Sequence, residues 1–410
     1  MRLDAVIFGG GVAGLWLMDE LRRRGAAAVL IERDACGTGQ TIGAQGIIHG
    51  GLKYTLAGLL TGSAERIREM PGLWRDCLAG RREPDLSGVA KRADFCYLWR
   101  TDAIRGRFGM IGAKAGLRVA PTRLDESERP EALRGAPGEV LRLDEQVLSC
   151  RSLIQTLVQR NQDHLIRDSD PAIVAEGSGV RITTHGRELV ADHAVFTAGA
   201  GNATLRSAVG LDADRMQRRP LHMVMIRSGA PAGEPGSLPV FNGHCVDGKK
   251  TRVTVTTECD ATGHPVWTVG GQVSEDGVGR SESEQYAVVR RELAAVMPSV
   301  DLSRATFGSW RVDRAEPRTA GGLRPDDAFA EAELGGRVIT AWPTKLALAP
   351  RLAERVIEEM GSDAETEAEA ADRTAIARDA AAGLPRPETA ANFWDAPTDW
   401  HPAPLPEPAA

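Results

Sequence analysis

The chain has 410 residues, of which 42% are hydrophobic and 26% charged, and a formal net charge of −6, which predicts a soluble globular protein with a large core. Basic residues are outnumbered and form no run, which argues against nucleic-acid binding. The uncharged segment 5–18 is too short to span a bilayer and lacks the flanks of a signal peptide, so we expect no transmembrane segment and a cytoplasmic location.

The first predicted unit is a strand, a glycine fingerprint and a helix. Residues 4–14 read DAVIFGGGVAG, which places Gly9-x-Gly11-x-x-Gly14 directly after an apolar run. A helical pattern, LWLMDELRRRG, follows, and a second strand, AAVLIERD, ends at Glu32. This order is typical of a dinucleotide site, in which the helix start holds a pyrophosphate and the acid accepts the ribose hydroxyls.

The expected ligand contacts follow from this unit. A carboxylate at Glu32 disfavours the 2′-phosphate of NADP, although the neighbouring Arg33 weakens that exclusion slightly, and the unit alone leaves NAD and FAD open. Cys36 is interpreted as a packing residue beside threonines that bind phosphate. The predicted dinucleotide contacts here are Gly9, Gly11, Val12, Ala13, Gly14, Glu32, Arg33, Thr38 and Thr41.

The stretch TIGAQGIIHGGLKYTL, residues 41–56, combines glycines with one histidine. Imidazole titrates near neutral pH, so His49 suits the role of a catalytic base; the alternative is a histidine that only hydrogen-bonds backbone or cofactor. Gly46 and Gly50 would let the backbone approach a bound ring. Lys53 and Tyr54 follow where they could reach the same cavity, and Tyr54 could instead pack in the core.

Two later strands are expected to complete the nucleotide domain. The first, residues 194–197, opens into the small-residue turn around Gly199. The second, residues 338–341, precedes a predicted helix that starts at about Lys345. A nucleotide domain assembled from the N-terminus, the middle and the C-terminal part of the chain differs from a contiguous NAD-binding half.

These motifs resemble those of one family. Their order along the chain is the glycine fingerprint, GTGQT, IIHGGLKY, VFTAGAGN, GSWRVDR and a final strand and helix. It is the FAD-dependent oxidoreductases that include glycerol-3-phosphate dehydrogenase, D-amino-acid oxidase and glycine or sarcosine oxidase. IIHGGLKY is most similar to the glycerol-3-phosphate dehydrogenases, which have arginine where this chain has Lys53. Toward the C-terminus, LALAP is closer to the amino-acid oxidases, and the family arginine position is Pro350.

The resemblance implies an α/β fold with a glutathione-reductase-type FAD-binding Rossmann domain, interrupted by a substrate domain on a mixed or antiparallel sheet. FAD is the implied cofactor, and we expect no metal, since the six cysteines form no C-x-x-C pair. The implied boundaries are 1–70, 146–209 and 321–360 for the FAD domain, 71–145 and 210–320 for the substrate domain, and 361–410 for an acidic, proline-rich extension.

The resemblance also implies site residues. Arg314 would contact an anionic group of the substrate; the alternative is a surface ion pair with Asp313 or Glu316. At the start of the last helix, the N–H groups of Thr344, Lys345 and Leu346 would stabilise negative charge on the reduced flavin. Lys345 could also bind substrate, or simply face solvent.

The tail after residue 361 changes to Ala, Glu, Asp and Pro, and its first part could form an acidic helix. Trp394 and Trp400 suggest docking onto the body, a second subunit or a partner, with a disordered tail as the alternative.

The sequence therefore predicts an FAD-dependent dehydrogenase or oxidase that moves a hydride from a small anionic hydroxyl substrate, glycerol-3-phosphate-like or a 2-hydroxy acid, to flavin N5. Amine or amino-acid oxidation and a non-catalytic flavin-binding partner protein are the alternatives. The electron acceptor stays open among oxygen, a quinone and others. The expected catalytic residues are His49, Lys53, Arg314 and Lys345.

Overall fold

The computed structural model describes residues 2–50, 67–101, 121–247, 250–361, 367–396 and 399–404, with the backbone alone for 367–370. Lys53 and Tyr54 lie outside the described residues. The strands, numbered in chain order, are β1 Arg2–Phe8, β2 Ala28–Glu32, β3 Lys91–Ala93, β4 Cys96–Arg100, β5 Thr122–Leu124, β6 Val140–Leu143, β7 Val147–Leu148, β8 Leu165–Arg167, β9 Ala172–Glu176, β10 Gly179–Thr184, β11 Arg187–Phe196, β12 Met216–Arg227, β13 Gly243–Asp247, β14 Lys250–Cys259, β15 Pro265–Gly270, β16 Thr306–Pro317, β17 Phe329–Glu333, β18 Val338–Trp342 and β19 His401–Pro402.

The helices of the described residues include α-helical and 3-10 segments. The α-helices are Val12–Arg23, Met70–Leu78, Cys150–Asn161, Asn202–Ala208, Gln272–Glu275, Glu282–Val296, Ala349–Met360 and Glu367–Ala381. The 3-10 turns are Glu126–Glu128, Glu131–Leu133, Gln162–His164, Gly199–Gly201, Ala213–Arg215, Ala320–Gly322 and Leu346–Leu348.

The first sheet has the order β17-β18-β11-β1-β2-β8 within the described chain, and β10 and β9 extend from β11. Its centre is parallel, since β1 pairs in parallel with both β2 and β11, and β11 pairs in parallel with β18. The apolar runs of β1 and β2 are buried, as expected for parallel strands covered on both faces. The expected Rossmann sheet, built from three separated parts of the chain, is confirmed.

Helices cover this sheet and carry its core. Val12–Arg23 packs on the sheet and ends just before Gly25, whose φ of 82° is the left-handed conformation favoured at helix ends. Trp16 of this helix contacts Trp74, whose indole N–H donates to the Ala347 carbonyl at 3.0 Å. The helix Met70–Leu78 therefore belongs to the core of the first sheet.

The second sheet follows the order β19-β16-β12-β15-β14-β13-β4-β6-β5 in the part of the chain that the structure describes. All of its pairings are antiparallel except that of β13 with β4, so the expected mixed sheet is confirmed. The helix Glu282–Val296 packs against it, and Ser281 caps that helix through a capping box with Glu284.

The C-terminal tail is ordered against both sheets over its described residues. Ala377, Ala380 and Ala381 of its helix are buried against the first sheet. Further on, β19 adds to the edge of the second sheet beside β16, so the disordered-tail alternative is wrong here.

None of the described helices combines the length and the apolar character needed to cross a bilayer. All six cysteines lie in the described residues and are free, and five of them are buried.

Candidate active site

The glycine fingerprint forms a tightly packed turn at the start of the first helix. Gly9 has a φ of 108°, and a Cβ added there would lie 2.5 Å from the Cα of Ala198. A Cβ on Gly14 would lie 2.0 Å from the carbonyl oxygen of Gly9. The strand, turn and helix therefore approach one another at distances that only glycine permits, as a dinucleotide turn requires.

The helix beyond this turn begins with backbone N–H groups and no side-chain cap. Gly11 is its N-cap residue, and the N–H of Val12 donates to the hydroxyl of Thr41 at 3.2 Å. Ala13 and Gly14 continue the first turn of the helix, where N–H groups and the positive end of the helix dipole favour an anion.

Glu32 lies at the end of β2 and is only 8% exposed. One carboxylate oxygen accepts from the N–H of Gly10 at 2.6 Å, and the other accepts from the N–H of Asp34 at 3.0 Å. Burial raises the pKa of this carboxyl, and the two backbone donors only partly offset the effect. A carboxylate has about four acceptor positions, so sites remain for ribose hydroxyls. The residues thus fit the adenosine part of FAD, whereas the neighbouring Arg33 is exposed.

The segment after β2 returns to the fingerprint. The N–H of Gly37 donates to the Gly10 carbonyl at 2.8 Å, while the Thr38 hydroxyl donates to the Ala35 carbonyl at 2.8 Å. Cys36 is buried, and this burial, with the nearby Glu32 charge, raises the pKa of its thiol to about 12. The thiol therefore stays protonated and fills space, as the sequence predicts for Cys36.

At the end of β18, the chain turns sharply before the next helix. Thr344 has a φ of 59°, a left-handed conformation that is costly for a threonine, and its hydroxyl donates to the Asp327 carbonyl at 3.2 Å. Lys345 is the N-cap residue of the 3-10 turn Leu346–Leu348, and the α-helix follows from Ala349. The helical segment predicted from about Lys345 is therefore present, and its first turn is 3-10 rather than α-helical.

Lys345 does not face solvent. Its side chain is 7% exposed, and its ammonium group donates to the Asp326 carbonyl at 3.2 Å. Gly199 lies near the same end of the sheet, because its carbonyl accepts from the indole N–H of Trp342 in β18 at 3.1 Å. One hydrogen bond thus joins the turn around Gly199 to the end of β18.

The residues from Thr41 to His49 run from the fingerprint to the second sheet. The side-chain amide of Gln45 donates to the carbonyls of Thr254 and Thr268, in β14 and β15, at 3.1 and 2.9 Å. Gly46 has a φ of 70°, and a Cβ there would lie 2.0 Å from the Leu148 carbonyl oxygen. Close contact with β7 therefore explains the glycine at position 46 without a bound cofactor ring.

His49 lies against a buried carboxylate that the sequence did not reveal. Its Nδ1 is 3.2 Å from Oε2 of Glu145, which is 4% exposed. The other oxygen of Glu145 accepts from the N–H of Gly50 at 2.6 Å. Glu145 precedes β7 and is 96 residues away from His49 in sequence, so no local pattern announces this pair.

Two further side chains lie close to His49 and Glu145. The ring of His244, in β13, lies 5.1 Å from that of His49, and its Nδ1 is 2.8 Å from the Thr254 hydroxyl. The thiol of Cys96 donates to the same Glu145 oxygen at 3.5 Å. His49, Glu145 and His244 place ligand-type atoms within 4.8 Å of one another.

Arg314 forms an ion pair with a different acid from those considered in the sequence. Its guanidinium lies 2.9 Å from Glu275, and it also donates to the Arg219 carbonyl at 3.3 Å. Burial and the facing Arg219 lower the pKa of Arg314. Glu316 binds Arg219 instead, with two contacts of 2.7 Å. The proposed pairing of Arg314 with Asp313 or Glu316 is therefore wrong.

The structure brings some predicted residues together and leaves others apart. Gly9, Gly11, Gly14, Glu32 and Thr41 form one cradle around the first helix. His49 bonds to Glu145, Arg314 to Glu275 and Lys345 to the Asp326 carbonyl.

A solved structure and a curated relative match almost the whole chain. The probable FAD-dependent oxidoreductase PA4991 of Pseudomonas aeruginosa is 41% identical over 400 residues, which cover 96% of this chain and 98% of the relative. Its crystal structure superposes with a TM-score of 0.77 and 39% identity, over 96% of this chain and 98% of that one.

More distant structures share the fold. Glycine oxidase from Geobacillus kaustophilus has a TM-score of 0.67 at 17% identity, over 89% of this chain and 96% of its own. The L-alpha-glycerophosphate oxidase of Mycoplasma pneumoniae, solved with FAD bound, has a TM-score of 0.65 at 13% identity, over 90% and 97%. Residues 4–349 match the family model described as DAO, FAD dependent oxidoreductase. The chain therefore belongs to this family and is an FAD-dependent oxidoreductase.

Proposed function

We propose that this oxidoreductase acts on a small anionic substrate with a hydroxyl group, of the glycerol-3-phosphate or 2-hydroxy acid type. The observation that carries the proposal is the histidine of the 41–50 segment, whose Nδ1 lies 3.2 Å from the buried Glu145 carboxylate. Bound FAD supplies the two-electron acceptor for the hydride. An alcohol must also lose its O–H proton, and an oriented imidazole is suited to take it.

The chain's own groups divide the remaining work. With Nδ1 of His49 directed at Glu145, Nε2 is the ring nitrogen that accepts the hydroxyl proton. Lys53, Arg314 and Lys345 are the cationic groups proposed for the substrate anion. Lys345 suits this role because its charge is buried, where an anion would be screened less by water. Arg314 already faces Glu275, which makes it the weaker anchor.

Amine oxidation remains the competing reaction, and glycine oxidase shares the fold. An uncharged amine can release a hydride with help from its own lone pair, so it does not need a base on the protein. The buried carboxylate behind His49 favours the hydroxyl substrate, because such a partner stabilises the imidazolium that forms when a base takes a proton. Since the chain is an enzyme of this family, the non-catalytic alternative is not retained.

The test is an anaerobic screen for bleaching of the flavin absorbance by glycerol-3-phosphate, 2-hydroxyglutarate, other 2-hydroxy acids and amino acids. We expect a hydroxyl substrate to bleach the flavin, and His49→Gln to slow that bleaching by at least about 100-fold. Glutamine keeps an N–H for Glu145 but has no basic nitrogen. Reoxidation with oxygen and with a quinone analogue then identifies the class of acceptor.

His264→Ala is the matched control, because His264 lies in the turn between β14 and β15 and its imidazole contacts Thr262 and Asp260 of the same turn. It should bleach at the wild-type rate. Bleaching by amino acids alone, unaffected by His49→Gln, would contradict the proposed function.

A further inference from the structure

Glu145 is held from two sides. One oxygen accepts from the N–H of Gly50 at 2.6 Å, and the other lies 3.2 Å from Nδ1 of His49 and 3.5 Å from the thiol of Cys96. The carboxylate is thus attached both to the histidine and to the backbone of the next residue. At 4% exposure, water does not compete freely for these oxygens.

This geometry selects one form of the neutral imidazole. An ionised carboxylate accepts hydrogen bonds and cannot donate them, so the nitrogen that faces it must carry the proton. His49 is then in the Nδ1–H tautomer, and its lone pair is on Nε2. Without such a partner, neutral imidazole exchanges between both tautomers, and a fraction of the molecules would present N–H where a base is needed.

We propose that Glu145 is a positioning residue that fixes His49 as the Nδ1–H tautomer and holds its ring in one orientation. The role in turnover rests on the proposed function of His49 as the base for a hydroxyl substrate. The tautomer itself is a property of the resting protein and does not depend on that function.

A cation bound by His49, Glu145 and His244 is the competing use of the same atoms, since two imidazoles and a carboxylate suit zinc. The hydrogen bonds favour the positioning role. The Glu145 oxygens already face an N–H, a ring nitrogen and a thiol, and Nδ1 of His244 faces the Thr254 hydroxyl. Metal content therefore becomes one outcome of the experiment.

The experiment compares wild type with Glu145→Gln and Glu145→Asp. In the glutamine variant, the amide oxygen should keep the short bond from the Gly50 N–H, which turns the NH₂ group toward His49. An NH₂ group donates, so Nδ1 must become the acceptor and the proton moves to Nε2. The same exchange of acid for amide beside a catalytic histidine gives the wrong tautomer in the serine-protease triad.

The direct readout is the ¹⁵N NMR spectrum of histidine-labelled holoenzyme at pH 8, with the His49 signals assigned by their loss in His49→Gln. We expect the Nδ1–H tautomer in wild type and Glu145→Asp, and the Nε2–H tautomer in Glu145→Gln. In turnover, Glu145→Gln should lower kcat by at least about 100-fold with little change in KM, and Glu145→Asp should recover part of it.

Asp19→Asn is the matched control. Asp19 is fully buried and binds Arg23 and Arg160 in the helical layer of the first sheet. Its loss should lower stability but leave the His49 tautomer and kcat unchanged.

An Nε2–H tautomer in wild type would overturn the proposal, as would an unchanged tautomer in Glu145→Gln. Stoichiometric zinc in the purified holoenzyme, lost in Glu145→Gln, would overturn it in favour of the metal site. If the tautomer switches but no hydroxyl substrate bleaches the flavin, the proposed function fails and the inference about Glu145 stands. If the wild-type protein oxidises a hydroxyl substrate and the tautomer does not switch, only the inference fails.

Discussion

Two buried carboxylates, Glu32 and Glu145, have the same kind of partner at one oxygen and different partners at the other. Each accepts a backbone N–H from a glycine at 2.6 Å, Gly10 in one case and Gly50 in the other. The second oxygen of Glu32 accepts another backbone N–H, from Asp34. The second oxygen of Glu145 faces a ring nitrogen of His49, which can gain or lose a proton.

From this difference we infer that Glu32 is a binding carboxylate and that Glu145 acts on proton transfer. Backbone amides cannot change their protonation state, so the two N–H groups that Glu32 faces remain donors. The second oxygen of Glu145 faces an imidazole, which can be neutral in either of two tautomers or positively charged, so the carboxylate charge bears on the state of that ring. Variants at the two sites should therefore affect different measurements.

The largest effect is expected from Gly14→Ala, which disrupts the glycine turn beside Glu32. The new Cβ would lie 2.0 Å from the carbonyl oxygen of Gly9, a backbone atom that cannot move aside without displacing the turn. We expect loss of bound FAD, measured as flavin absorbance per protein after purification. Gly279→Ala is the control, since no atom lies within 4 Å of its Cβ position. Full FAD occupancy in Gly14→Ala would contradict the assignment of the cradle.

The next effect concerns the tail, which contacts the region of Glu32 and the second sheet. Its backbone pairs with Cys36 near Glu32, through Glu388 and Ala390, and Trp394 is buried beside Gln45 and Glu258. Trp394→Ala should lower the free energy of unfolding by about 3 kcal/mol, measured by denaturant titration. Trp400→Ala, at a partly buried position, should cost less. Equal and small losses would show that the tail does not hold the two regions.

Amide variants of the two carboxylates should have opposite effects on FAD affinity and on the rate of flavin reduction. Glu32→Gln should weaken FAD binding by about 10- to 100-fold, because hydrogen bonds to a charged group contribute about 1.5–3 kcal/mol. Once saturated with FAD, it should reduce at the wild-type rate. Glu145→Gln should show the reverse pattern, with FAD affinity near wild type and slow reduction. Equilibrium titration of the apoprotein and stopped-flow reduction separate the two, and a variant that changes both quantities alike would remove the distinction.

The sequence predicts the first carboxylate but not the second, for a physical reason. Glu32 belongs to one continuous strand, turn, helix and strand unit, so its position follows from local spacing. Glu145 meets His49 only because Ile47 pairs with Val147 and brings two distant segments together. The partner of Arg314 could not be predicted for the same reason. Arg314 lies in β16, whereas Glu275 lies in the helix Gln272–Glu275. Local patterns identified the dinucleotide unit, and the family resemblance implied FAD and the second sheet, whereas side-chain partners depended on tertiary pairing.

A smaller effect follows from the raised pKa of Glu32, which burial causes. A carboxyl with a raised pKa in the folded state favours folding when it is protonated, and this contribution is lost as pH rises from about 4.5 through the folded-state value. The apoprotein of Glu32→Gln should lack that loss. Its unfolding free energy should therefore exceed that of wild-type apoprotein at pH 7, with the difference shrinking toward pH 4, as measured by urea titration. A constant difference across this range would mean that Glu32 does not titrate as inferred.

The smallest effect is expected at Cys36, which touches the Glu32 region without taking part in it. Its thiol has a pKa raised to about 12 by burial and by the Glu32 charge, so it is neither a nucleophile nor a charged group at neutral pH. Cys36→Ser should change FAD affinity by less than about 3-fold and cost about 1 kcal/mol of stability, because a hydroxyl replaces a buried thiol. In wild type, iodoacetamide at pH 8 should modify the exposed Cys259 and spare Cys36, as read by peptide mass spectrometry. Rapid modification of Cys36 in the folded holoenzyme would show that the region beside Glu32 opens to solvent. Glu32 and Glu145 would then differ in their access to water rather than in their hydrogen-bond partners.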